Sequence, residues 1–151
     1  MVHRILKMIR NNKVMMYLLS VIYRFIGLNC IRGRKGLKIY WTGVFSNRIK
    51  IINHGSDNFI EFGEGCRLSR CKIQIFGNGN RIKIEQDCVC RDMDIWLSDG
   101  GAIEIGHNTH FVGKIHIACT EGKAVKIGER CLFSSDIVIR TGDSHSILDG
   151  K

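Results

Sequence analysis

The sequence of 151 residues contains no proline. Together with 44% apolar residues and 17 glycines, that composition is not the composition of a disordered chain, and the length suits one domain with a real core. No two of the seven cysteines form a Cys-x-x-Cys pair, and their number is odd. Both lacks argue against a zinc knuckle and against a secreted disulfide framework. Cys30, Cys66, Cys71, Cys88, Cys90, Cys119 and Cys131 therefore read as reduced thiols of a cytoplasmic protein. Acid is missing from residues 1–50, which hold 11 Lys/Arg, whereas residues 51–151 hold 12 Lys/Arg and all 14 acids. The formal charge of +9 belongs to the N-terminal segment and not to the whole fold.

Other absences narrow the function. There is no P-loop and no dinucleotide-binding fingerprint: "FGNGN" (76–80) follows one strand pattern and precedes another, so it is a turn. No cysteine has a matching histidine that would make it a nucleophile. The basic residues are not interleaved with a base-stacking platform, so nucleic acid is not an expected partner.

What is present is a repeat. Segments 59–80, 81–101, 102–123 and 124–145 align, each opening on an apolar-x-apolar pair. Their anchors are Phe62, Ile84, Ile105 and Ile127, spaced 22, 21 and 22. Small residues recur at the same spacing as Cys66, Cys88, Thr109 and Cys131. A second apolar pair recurs as Ile73/Ile75, Ile95/Leu97, Ile115/Ile117 and Ile137/Ile139, and each repeat ends in a turn-rich loop. Alternation within short runs predicts strands with one buried face. Three short strands per repeat predict a solenoid of coils about 22 residues long, stacked as three parallel sheets around a narrow core. The cysteines fit small buried corner positions of that core. Residues 37–58 read as a degenerate first coil, with Tyr40 placed 22 residues before Phe62.

The segment Ile105-Gly106-His107-Asn108-Thr109-His110 resembles the hexapeptide pattern of the left-handed β-helix acyltransferases. Residues 127–132 and 84–89 fit the same pattern with Cys at the small position. The stretch "IGERCLFSSDIVIRTGDSHSI" (127–147) is similar to the active-site coil of bacterial O-acetyltransferases of the galactoside and maltose type, which modify sugars and surface polysaccharides. The resemblance spans roughly residues 60–147 and implies an all-β, left-handed parallel β-helix. It also implies acetyl-CoA as co-substrate, a saccharide acceptor, and a homotrimer with sites between subunits. By position, His145 corresponds to the family's general base. Asp143 is the nearest carboxylate to orient it, and Asp136 lies on the same coil. Family members continue beyond the histidine loop with coils that form much of the groove for acetyl-CoA. The β-helix domain, residues 37–151, is thus expected to be incomplete at its C-terminal end and the chain to be a fragment. Which residues bind the cofactor is left open.

The chemistry suits the residue types. A hydroxyl is a poor nucleophile at neutral pH, and a positioned imidazole can take its proton, which is worth roughly 10²–10⁴ in rate. A thioester needs no metal, and none is expected. His107, His110 and His116 fall within ten residues, but catalytic zinc requires three convergent ligands, and neighbours in a coil need not converge. They read as surface histidines. Trp96 points outward if Ile95 and Leu97 point in, where it would line a subunit interface or bind the saccharide.

Val14 to Tyr23 is almost wholly apolar before Arg24 interrupts, too short a run to span a bilayer, and no small-residue cleavage site follows. Residues 1–36 are expected to form a basic, apolar helical segment. It either caps the open end of the solenoid or lies on a membrane surface, at the inner face of the membrane for a cytoplasmic enzyme. The reading of a different class is a catalytically inactive β-helix scaffold that acts only in self-association, partner binding or membrane contact.

Overall fold

The structure, a computed structural model, describes residues 12–142. It opens on a helix, α1 (Lys13–Ile26), which Asn12 starts by accepting the Val14 and Met15 backbone N–H groups on its side-chain oxygen at 3.1 and 3.2 Å. Arg24 lies in the last turn, where the helix dipole favours a cation. The strands then follow in rotation among three sheets. The first sheet stacks β1 (Cys30–Arg32), β4 (Lys50–His54), β7 (Lys72–Phe76), β10 (Met93–Ser98), β13 (Ile115–Cys119) and β16 (Ile137–Arg140). The second stacks β2 (Leu37–Trp41), β5 (Asn58–Phe62), β8 (Arg81–Ile84), β11 (Ala102–Ile105) and β14 (Ala124–Ile127). The third stacks β3 (Phe45–Asn47), β6 (Arg67–Ser69), β9 (Val89–Arg91), β12 (His110–Phe111) and β15 (Leu132–Phe133). Each strand pairs in parallel with the strand one coil away, as in Ile82 beside Ile60 and Ile103. The fold class is the expected one: an all-β parallel β-helix with a helix in front of it.

The repeat dictates the core. A strand turns alternate side chains to opposite faces, so each coil sends a few apolar residues inward, stacked directly on those of the next. Ile73, Ile95 and Ile117 form one such column in register, with Ile139 continuing it. Fully burying one isoleucine is worth roughly 1.5–3 kcal/mol. Here the sequence alignment of the second apolar pair needs correction. Ile117, not Ile115, follows Ile95, and Cys119 follows Leu97. The Asp99–Gly101 loop after β10 is one residue short, which gives β8/β11 and β9/β12 a spacing of 21. The turn between Phe111 and Ile115 is one residue longer than its counterpart between Cys90 and Met93, which restores 22 between β10 and β13. Trp41, not Tyr40, pairs with Phe62: Trp41 is buried and Tyr40 is exposed.

All three corners turn through left-handed backbone. Gly43, Gly65, Asp87, Asn108 and Arg130 have positive φ between the second and third sheets, and Arg48, Arg70, Asp92 and Asp136 do so between the third and first. Left-handed backbone costs a side-chain-bearing residue roughly 1–2 kcal/mol. It persists because it aims each N–H at a carbonyl of the preceding coil: Arg70 to Asn47 at 2.9 Å, Asp92 to Ser69 at 3.0 Å, Arg130 to His107 at 2.9 Å. The remaining corner, with Asp57, Gly77, Asp99 and Glu121 also at positive φ, adds buried asparagines. Asn58 donates to the Asn53 side-chain oxygen at 2.7 Å, Asn80 to that of Asn58 at 3.0 Å, and Gly101 N–H to that of Asn80 at 3.0 Å. Such a chain satisfies polar groups that burial would otherwise penalise.

Helix α1 caps the first coil. Ser20 is buried, the Tyr23 ring meets Phe45 edge-on at 5.7 Å, and the Arg24 guanidinium lies 5.4 Å from the centre of the Trp41 ring. Among the described residues, no helix is long and apolar enough to cross a membrane. The first strand of the solenoid, β1, lies within the N-terminal 36 residues.

Candidate functional site

His145 and Asp143 lie outside the described residues. The chain leading to them is anchored. Strand β16 ends at Arg140, the Thr141 N–H donates to the Ala118 carbonyl at 3.1 Å, and the Thr141 hydroxyl oxygen accepts the Thr120 N–H at 3.0 Å. The described chain therefore ends at the corner between the first and second sheets. Asp136 stands at the opposite end of β16, in the corner from the third sheet. It is exposed at positive φ and accepts the Ser135 hydroxyl at 2.5 Å. Four residues of strand separate it from Thr141, about 16 Å over the five steps at the usual rise.

Trp96 is on the outer face of the first sheet, 40% exposed, between the buried Ile95 and Leu97. Its indole stacks on Phe76 at 4.7 Å, and Phe76 stacks on His54 at 5.1 Å. On the other side its register partner is Ala118, too small to cover the ring. Beside this ladder, His116 Nδ1 lies 3.2 Å from Asp94 Oδ2, while the other oxygen, Oδ1, is buried without a hydrogen-bond partner among the described residues. Lys50 and Lys72 share the register row of Asp94 and His116. The outer face of the first sheet thus combines a ring platform with a carboxylate–imidazole pair and two ammonium groups. That combination can stack against a sugar ring and bond its hydroxyls. Sequence reasoning found Trp96 but missed His54, Phe76 and the Asp94–His116 pair. The 22-residue spacing of 54 with 76 and of 94 with 116 was the available signal.

A shallow groove of about 340 Å³ runs along the corner between the second and third sheets, lined by Glu61, Glu64, Lys83, Glu85, Gln86 and His107 among others. Part of its charge is paired. His107 Nδ1 lies 3.1 Å from Glu129 Oε2, the His107 N–H donates to Glu85 at 3.2 Å, and Lys83 lies 3.4 Å from Glu85. Arg130 beside Glu129, and then His107, hold the Glu129 carboxyl below its usual range. His107 sits at this corner, His110 on the third sheet and His116 on the first, so the three histidines do not converge. No group of three potential metal ligands is found among the described residues. Two core thiols are held protonated by position. Burial pushes Cys71 up to about 11 and Cys90 well above its usual value.

The solved structure of the polySia specific acetyltransferase NeuO matches this solenoid with a TM-score of 0.67, over 80% of this chain and 52% of that one, at 22% identity. The two chains share a fold. This chain spans about half the length of that neighbour. No protein-family model matches the sequence, and no curated protein does. The expected β-helix acyltransferase resemblance is therefore borne out at the level of the fold.

Proposed function

We propose that this chain is an acetyltransferase β-helix that moves an acetyl group from acetyl-CoA to a hydroxyl of a cell-surface saccharide or its precursor. The observation that carries the reading is the shared fold with an acetyltransferase, in a chain whose last described strand leads into the Thr141–His145 segment. In this reaction His145 takes the proton of the acceptor hydroxyl as its oxygen attacks the thioester carbonyl. The tetrahedral intermediate collapses, the carbon–sulfur bond breaks, and the proton passes to the departing CoA sulfur. The products are the O-acetyl saccharide and free CoA, with no metal and no acyl-enzyme. Asp143 holds the second ring nitrogen of His145 and fixes its tautomer. Trp96, with Phe76 and His54, is the platform for the sugar ring, and Asp136 is a further hydroxyl acceptor on the same coil.

Lys50 and Lys72 on the platform's face suit an acidic saccharide, of the kind that the name of the fold neighbour specifies. The assembly is a homotrimer in the cytoplasm, each site lying between two subunits. The experiment is calorimetric titration of the purified chain with acetyl-CoA, followed by measurement of CoA-thiol release with acidic and neutral oligosaccharides. Binding, with thiol release that requires an acceptor, supports the reading. No binding at millimolar acetyl-CoA sinks it for this chain and leaves the inactive scaffold.

A further inference from the structure

The helix that caps the solenoid buries only one of its faces. Ser20 and Gly27 lie against the first coil, with Tyr23 meeting Phe45. Val14, Leu18, Ile22 and Phe25 fall at i, i+4, i+8 and i+11, a single stripe on the opposite face. They are 68%, 55%, 48% and 83% exposed. A monomeric soluble surface does not ordinarily leave so many large apolar side chains in one row. Around this stripe the charge has one sign only. Residues 1–50 contain 11 Lys/Arg and no acid, and Arg24, Arg32, Arg34, Lys35 and Arg48 are all exposed.

We propose that this end of the solenoid docks on an anionic lipid surface, with α1 lying in the plane of the interface and Val14, Leu18, Ile22 and Phe25 entering its apolar boundary. Charge decides between occupants. A second copy seated helix to helix would bring together two helices and first coils that carry cations and, through residue 50, no acid. A sheet of phosphate headgroups above acyl chains matches both features at once, the diffuse positive field and the directionless apolar stripe. The geometry is compatible: α1 is the first described element and lies across the open end of the solenoid, so docking there leaves the three sheets clear. This inference rests on the helix and its charges alone, not on the proposed activity.

The test uses the full chain and sedimentation with two sets of vesicles, pure phosphatidylcholine and phosphatidylcholine with phosphatidylglycerol. The protein is expected to pellet with the anionic vesicles, at least tenfold more than with the neutral ones, and to be released by molar salt, which screens exposed charges. Leu18→Glu with Ile22→Glu replaces exposed side chains only. It is expected to keep the circular dichroism and thermal midpoint of the parent and to lower the partition at least tenfold. Equal binding to both vesicle types, or undiminished binding by the double variant, overturns the proposal. A parent that ignores both vesicle types and falls to a smaller mass in light scattering after the double substitution overturns it in favour of self-association.

Discussion

The Thr109 hydroxyl donates to the Gly128 carbonyl of the next coil at 2.8 Å, in the position where Cys88 donates its thiol to Gly106 at 3.2 Å and Cys66 to Glu85 at 2.9 Å. The corner therefore asks for a small side chain with one weak donor, and either oxygen or sulfur supplies it. Cys88→Thr is expected to change stability by less than about 1 kcal/mol, since it keeps both size class and donor. Cys88→Leu must fit two more carbons where the side chain is fully buried, and is expected to cost about 1–3 kcal/mol. For a chain of this length each kcal/mol moves the melting temperature by about 2–4 °C. Differential scanning calorimetry separates the two variants, and equal melting temperatures would refute the account of the corner.

The thiols give a prediction of reactivity and one of pH dependence. Cys66, Cys71, Cys88, Cys90 and Cys119 are buried, Cys131 is partly buried, and Cys30 is exposed. Only thiolates react quickly, and burial holds Cys71 and Cys90 protonated. Labelling of the native protein is expected to add one group rapidly at Cys30 and a second slowly at Cys131, and to reach seven only in denaturant. Mass spectrometry after quenching counts them, and a third label in native buffer contradicts the buried placement. A thiol whose folded pKa is raised adds stability that is full below its usual value, near 9.0, and lost as pH climbs. For Cys71 that loss runs from about pH 9 to about 11, so the denaturation midpoint should fall across that range.

Coil spacing is set where backbones touch. A Cβ on Gly55 would lie 1.8 Å from the Gly77 carbonyl oxygen, which belongs to the next coil and cannot yield without parting the stack. Gly55→Ala is expected to cost about 3 kcal/mol, in the upper range for a single substitution. Gly79, in the neighbouring loop, has open space at its Cβ position and φ of +71, a conformation asparagine tolerates. Gly79→Asn is expected to cost less than about 1 kcal/mol. Urea denaturation of the pair decides it: similar midpoints would mean that the loops, not the backbone contact, take up the strain.

Much of this was readable before the structure because a solenoid repeats its constraints. The anchors Phe62, Ile84, Ile105 and Ile127 stand in register as the spacing predicted, and the small corner residues stack as expected. The failures have local causes. Ile115 and Ile117 are both buried, so apolarity alone did not fix which one continued the Ile95 column. Arg48 and Arg70 take left-handed backbone against their residue type, because the hydrogen bonds they make belong to the neighbouring coil and leave no mark in local sequence. The ring ladder and the Asp94–His116 pair lie on the outer face, where no hydrophobic pattern constrains them. Counting by 22 joins His54 to Phe76 and Asp94 to His116, but Trp96, whose register partner is Gln74, meets Phe76 on the diagonal.

The proposed roles of His145 and Trp96 make different kinetic predictions. A general base acts in the chemical step, so His145→Ala is expected to lower kcat by about 10²–10⁴ while acetyl-CoA still binds. Because the base works in its neutral form, kcat/KM should fall as acid protonates it, and His145→Ala should remove that limb of the profile. Trp96, as a stacking surface for the sugar ring, holds substrate and transition state alike. Trp96→Ala is expected to raise the acceptor KM by about tenfold, the worth of roughly 1.4 kcal/mol, with kcat unchanged. Trp96→Phe keeps a ring on Phe76 and should recover most of that loss, which a merely structural indole would not require. If Trp96→Ala lowers kcat and the melting temperature together and leaves KM alone, the outer face of the first sheet is not where the saccharide lies.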